Sequence, residues 1–232
     1  MLYYRIKGMA SRSLKCYDVK RSFKCARSMT IVAVANTKGG VGKSTTAVHL
    51  ADWLARNNHS VVFVNGSFQT GVHQWLDELN IVYHQQTDPD EIFALLEQLD
   101  ADYDVVVDLP GASESIKTVL DCCDRVLVPV KPTALDFEDC RKMIQILVRK
   151  QNLRPNLVGA FFLSMIDRRS NSSHQAEAYF HKHRVNLLST QIRQLKVIEE
   201  TPLELCTVFD LPGSSARKIA RDYHRLFEEF IN

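Results

Sequence analysis

Apolar residues fall in short continuous runs along the chain, at residues 31–35, 61–64, 103–108, 125–130 and 157–163. Most of their members are Val, Ile, Ala or Leu, with no alternation of polar positions. Runs of this length and composition suit strands buried on both faces, as in a parallel sheet. Between them the apolar positions recur at helical spacing: Val48, Leu50, Ala51 and Leu54, then Ile92, Leu95, Leu96 and Leu99, then Met143, Ile144 and Leu147. A last helical face, Ile219, Tyr223, Leu226 and Phe230, lies within residues 214–230. Strand and helix signals in alternation predict an α/β fold: a single domain with a twisted, mostly parallel sheet and helices on both faces. Asp88-Pro89 reads as the cap and first turn of the second helix, and Asp136 as a cap of the third. Residues 185–189 are expected to add a last short strand.

One junction carries specific chemistry. The first apolar run leads into Lys38-Gly39-Gly40-Val41-Gly42-Lys43-Ser44-Thr45-Thr46, and the first helical pattern follows directly. Strand, glycine loop and helix in that order form a phosphate-binding loop, because several backbone N–H groups must turn toward one anion and side chains would block the approach. Lys43 supplies a cation for the β- and γ-phosphates, and Ser44 a hydroxyl for Mg²⁺. The expected nucleotide-binding residues are Gly39, Gly40, Val41, Gly42, Lys43, Ser44 and Thr45, with Gln69 added from the second strand's end.

An ordinary phosphate loop has no need of a lysine at its start. With Lys38 in place, KGGVGKSTT resembles the deviant Walker A loop of the ParA/MinD family, a branch of the P-loop NTPases. The resemblance covers residues 29–232 and implies a catalytic Lys38 that reaches the nucleotide of a second subunit. VLVPVKPTALDF, at residues 126–137, is similar to the equivalent segment of the small ParA/ParF-type partition ATPases. The run ending in Asp108 fits a Walker B strand, which places that carboxylate at the Mg²⁺ shell. Leu109-Pro110-Gly111 resembles the family's second switch, and the turn at residues 164–169 is expected near adenine by the same resemblance.

The chain departs from the family at the end of the second strand. Where relatives carry D-x-D-P-Q, with the second Asp orienting the attacking water, this chain reads Asn65-Gly66-Ser67-Phe68-Gln69. Only Gln69 matches. Ser67 therefore stands at the catalytic position with an alcohol, a far weaker base than a carboxylate. Loss of a positioned acid or base costs about 10²–10⁴-fold in rate, so slow hydrolysis is expected while binding survives.

Composition adds an asymmetry. Residues 1–30 hold eight Lys or Arg against Asp18 alone, whereas the rest carries 21 basic and 26 acidic residues. Residues 1–28 thus form a basic N-terminal extension on a mildly acidic domain, residues 29–232. Three readings of the extension stand open: an upstream addition with Met29 as the native start, a targeting segment, or a nucleic-acid-binding tail. Cys16, Cys25, Cys122, Cys123, Cys140 and Cys206 show no ligand spacing and read as reduced thiols of a cytoplasmic protein. No apolar run approaches the roughly 20 residues of a membrane span, and the terminal Glu228-Glu229 would be repelled by an anionic membrane.

Arg217, Arg221 and Arg225 recur every four residues on the last helix, with Lys218 beside them. A solvated face would look the same. By the family resemblance the stripe is expected to bind DNA without sequence preference, making the protein nucleoid-associated. The function expected is a ParA-like positioning ATPase: ATP and Mg²⁺ close a homodimer, the dimer binds DNA, and a ParB-like or other cargo adaptor protein triggers release, with no membrane partner. A plasmid or chromosome region is the expected cargo, with a carboxysome open. A nucleotide-dependent DNA-binding switch that barely hydrolyses ATP is the alternative, and a small-molecule kinase or ligase lacks an acceptor-site motif.

Overall fold

The computed structural model describes residues 29–67, 71–132, 134–167 and 172–232. Six strands form one sheet: β1 (Ile31–Val34), β2 (Val61–Asn65), β3 (Val82–Gln85), β4 (Asp104–Asp108), β5 (Arg125–Val130) and β6 (Val158–Leu163). Their order is β3-β2-β4-β1-β5-β6, and every pair is parallel. Among the described residues eight helices connect or follow them: α1 (Lys43–Arg56), α2 (Gly71–Glu78), α3 (Pro89–Gln98), α4 (Ser113–Val119), α5 (Ala134–Leu153), α6 (Ser172–Lys182), α7 (Val197–Glu200) and α8 (Ser214–Ile231).

The pleat divides the continuous apolar runs between two cores. Ala33, Val105, Val107, Val126 and Val128 point to one face, under Ile92 of α3, Ile116 of α4, Met143 of α5 and Phe180 of α6. Val32, Val34, Val106 and Leu127 point to the other, under Leu50 of α1, Leu76 of α2 and Phe227 of α8. Burial on both faces removes any advantage for polar residues on alternate positions, which explains why the strands read as unbroken apolar runs. The indole of Trp53 on α1 donates to His224 Nδ1 on α8 at 2.9 Å, tying the last helix to the first.

Several local expectations hold. Asp88 caps α3, accepting from the N–H groups of Asp90 and Glu91 at 2.9 and 3.1 Å. Two do not. Asp136 is the third residue of α5 rather than the residue before it, so it cannot be the N-cap. Residues 185–189 form no strand: Leu187 makes one isolated parallel bridge to Phe161. The Glu229 carboxylate accepts from Ser189 N and Thr190 N at 2.6 and 2.9 Å, replacing the ladder that a strand would continue. β3 has no apolar signature because it is an edge strand with Val82 and Gln85 exposed, held by pairing to β2. The basic extension lies outside the described residues.

Candidate nucleotide-binding site

Strand order brings together motifs far apart in sequence. β4 lies between β1 and β2, with Asp108 in register with Val34 on one side and Asn65 on the other. The loop leaving β1, the carboxylate ending β4 and the departure ending β2 therefore meet at one sheet edge, the C-terminal edge where ligands bind in such sheets.

The loop itself is shaped by backbone. Gly40 has φ 69° and Gly42 φ 92°, left-handed conformations that side-chain-bearing residues rarely adopt. A Cβ at Gly39 or Gly40 would meet nothing within 4 Å, so the space before these residues is open. Asn36, fully buried at the end of the strand run, braces the loop from behind: its amide donates to Pro129 O at 2.8 Å and its Oδ1 accepts from Lys38 N at 3.0 Å. Ser164 Oγ donates to Val41 O at 3.0 Å. Met165, itself at φ 56°, brings its methyl 3.6 Å from where a Gly42 Cβ would stand. Ser164 and Met165 thus support the phosphate loop, and Arg168 and Arg169 lie outside the described residues.

The Lys43 ammonium folds back to donate to Lys38 O at 2.7 Å. Burial lowers its pKa, and the nearby Asp108 charge opposes that shift. Asp108 is completely buried. Desolvation pushes its carboxyl up from 3.8 to about 6, against hydrogen bonds from Ser44 and Ser67 and the charge of Lys43. Its Oδ1 has no hydrogen-bond partner among the described residues. A buried carboxylate oxygen without a partner is costly unless something cationic completes it. Asp108 with Ser44 fits Mg²⁺ on that ground. No cluster of three or more His, Cys, Asp or Glu that could hold a metal ion occurs among the described residues.

Ser67 is held rather than loose. Its hydroxyl lies 2.8 Å from Asn65 Oδ1 and 3.3 Å from Asp108 Oδ2, and its N–H donates to Asn65 Oδ1 at 3.1 Å. Asn65 Nδ2 donates to Gln85 Oε1 at 2.8 Å, and Gln85 Nε2 donates to Ser67 O at 3.0 Å. His73 Nε2 also meets Gln85 Oε1, with its ring stacked on Tyr83. Sequence reasoning missed Gln85 and His73, since β3 gave no strand signal and only β2–β3 pairing brings them to the site. Asn36 could have been found, as a polar residue ending an apolar strand directly before a glycine loop. Gln69 lies outside the described residues.

Behind the loop, α1 is fastened by His49. Its Nδ1 lies 2.7 Å from Thr45 O and its Nε2 accepts from Val208 N at 3.2 Å, which fixes the neutral tautomer with the proton on Nδ1. Full burial drives its pKa down from 6.5 to about 4. The ring stacks on Tyr223 of α8 at 4.7 Å between centroids. On the other side of α8, Arg217, Lys218, Arg221 and Arg225 are all exposed, as the helical spacing requires, while Ile219, Tyr223, Leu226 and Phe230 are buried. Asp222 interrupts the basic face but is buried under a two-pronged contact from Arg193, at 2.5 and 2.7 Å.

The model of the CobQ/CobB/MinD/ParA nucleotide binding domain matches residues 32–205, from β1 through the stretch before α8. The chain belongs to that family. Within it, a maintenance of carboxysome distribution protein A from Gloeobacter kilaueensis is 30% identical over 206 residues, covering 86% of this chain and 93% of the relative. The protein of the same name from Halothiobacillus neapolitanus is 28% identical over 213 residues, 86% of this chain and 95% of that one. A ParA from Rhizobium radiobacter is 33% identical over 129 residues, 53% of this chain and 58% of its own. Among solved structures, Cyanothece apo McdA superposes with a TM-score of 0.69 at 14% identity, covering 88% of this chain and all of the other. The septum site-determining protein MinD of Pyrococcus horikoshii, complexed with Mg-ADP, gives a TM-score of 0.66 at 20% identity over 87% of this chain and 95% of that one. These likenesses place the fold among the ParA/MinD-type ATPases. No helix among the described residues is long and apolar enough to cross a membrane.

Proposed function

We propose that this chain is a ParA-like positioning ATPase that binds ATP with Mg²⁺. The observation that carries the reading is the buried Asp108 with its unpartnered oxygen, set beside Lys43 and Ser44 at the mouth of a loop headed by Lys38. In this reading the loop N–H groups and Lys43 hold the phosphates, Ser44 and Asp108 hold the metal, and Lys38 serves a second copy of the chain. ATP then favours the dimer, and the dimer binds DNA through Arg217, Lys218, Arg221 and Arg225. The two carboxysome-distribution relatives are spanned almost end to end, whereas the ParA relative is matched over little more than half. That support moves the proposed cargo from a plasmid or chromosome region toward a protein compartment of the carboxysome kind.

The alternative, a switch that hydrolyses ATP scarcely, draws on the Asn65–Ser67–Gln85 hydrogen bonds, which fix an amide at Asn65 and an alcohol at Ser67 where the family pattern has carboxylates. Steady-state ATP hydrolysis with and without DNA separates the two. For the DNA surface, Arg217→Glu, Arg221→Glu and Arg225→Glu together are expected to eliminate DNA binding in the ATP state and leave ATP affinity unchanged. Retained DNA binding with the same salt dependence would place the surface elsewhere.

A further inference from the structure

A second surface lies across the sheet from α8, where α4 and α5 leave a groove of about 610 Å³ between them. Its walls carry Lys117 on α4 and Lys142, Arg149 and Lys150 on α5, against the single carboxylate of Glu114. Lys117 is paired with Glu114 at 2.7 Å and Lys150 with Asp121 at 2.5 Å. Lys142 and Arg149 are exposed and make no ion pair among the described residues. They stand two turns apart on one face of α5, about 10.5 Å along the axis. Ile146 forms part of the groove wall, and Leu153, 70% exposed, marks its end. Leu153 thus gives the groove one apolar anchor point beside two cations that have no ion pair among the described residues.

We propose that this groove docks an acidic amphipathic helix of a partner protein, whose carboxylates two turns apart reach Lys142 and Arg149 while a leucine one turn beyond the second carboxylate covers Leu153. An extended α5 beside a short α4 is the helix-in-groove geometry, with anchors at helical spacing. The spacing of the two cations repeats in a partner helix with no adjustment, since both follow the same rise per turn. Duplex DNA fits less well, since it has no apolar group for Leu153. The groove also adjoins the nucleotide loop. α4 begins two residues after Gly111, and a Cβ at Gly111 would stand 3.0 Å from Thr37 O, so the turn entering α4 rests on the residue before Lys38. That the partner is a cargo adaptor rests on the positioning reading above; the docking itself rests on the groove.

The test uses the full chain and a fluorescein-labelled peptide of about four helical turns, built from Ala, Leu and Glu with the glutamates two turns apart. Fluorescence anisotropy is expected to show binding to the wild type, weakened about tenfold or more by Lys142→Glu with Arg149→Glu. A peptide with Lys in place of Glu is expected to prefer the double variant. Both substitutions are at exposed positions, and unchanged ATP-analogue affinity checks that the variant is folded. No binding of the acidic peptide to wild type, or equal binding to both proteins, would overturn the proposal. So would loss of short-duplex DNA binding in the double variant with peptide binding intact, which makes the groove a nucleic-acid surface. A changed sedimentation profile of the double variant without peptide would make it an interface between copies. If wild type binds the peptide but no ATP analogue, the positioning reading fails and the docking stands; the converse result sinks the docking alone.

Discussion

Asp108→Asn should stabilise the nucleotide-free protein while abolishing Mg²⁺-dependent ATP binding. Burial raises the Asp108 pKa from its ordinary 3.8 to about 6. A folded-state pKa above the unfolded one means that the native state binds a proton more tightly, so this carboxyl favours folding below pH 3.8 and loses that advantage as pH rises through about 6. The interval corresponds to about 3 kcal/mol at neutral pH, a cost carried by the ionised form. Asparagine removes the charge and keeps an acceptor for Ser67. In EDTA, urea denaturation should find the variant no more stable than wild type near pH 4, with an advantage that grows to about 3 kcal/mol by pH 7. Excess Mg²⁺ and ATP analogue should reverse the ranking, because only the wild type gains binding energy. A variant less stable than wild type in EDTA at neutral pH, or a difference that does not change with pH, would refute the claim that Asp108 is held against its own burial for the sake of a metal.

The remaining predictions concern the loop, the helix behind it and Ser67. His49→Gln removes the opposite pH dependence: with its pKa lowered to about 4, His49 loses stability as pH falls through 6.5. The wild type's advantage over this variant should therefore shrink by up to about 3 kcal/mol between pH 7 and 4, and a constant difference by denaturation would argue against a buried neutral imidazole. Lys38→Ala should retain ATP-analogue binding and lose ATP-dependent dimerisation; equal dimer populations by sedimentation would dispose of its role across an interface. Ser67→Asp should raise turnover by up to roughly 10²-fold, alone or with Asn65→Asp. Wild type already as fast as the double variant would mean that another group orients the water, with Gln85 and His73 the first to examine by substitution.

Much of the site is legible in the amino-acid sequence. The glycine loop announces itself because φ values such as those of Gly40 and Gly42 strongly favour glycine over other residues, so backbone geometry leaves its mark in composition. Asp108 ends an apolar run for the same reason that it works, since a strand carries it to the sheet edge. α8 likewise shows its two faces in its spacing, with Tyr223 and Phe227 in the core and Arg217, Arg221 and Arg225 in solvent. Short-range rules failed where the outcome depended on a neighbour. Asp136 has a capping residue's chemistry, yet α5 starts ahead of it. Residues 185–189 have strand composition, yet Glu229 takes the N–H groups of Ser189 and Thr190 at their end.

Asn65 and Ser67 stand out as missing carboxylates only by the family resemblance, whereas the sequence by itself determined the alternation of strands and helices and the phosphate loop with its two lysines. These depend on local backbone preference and apolar spacing, which act within about a dozen residues. Only the tertiary structure decided that β4 lies between β1 and β2, and with it that Ser67 and Asn65 stand beside Asp108. Edge pairing of β3 brought Gln85 and His73 to Ser67, and sheet packing placed His49 between the loop and α8. Contacts between residues far apart in the chain follow from the packing of whole elements, where burial of both sheet faces outweighs any local signal.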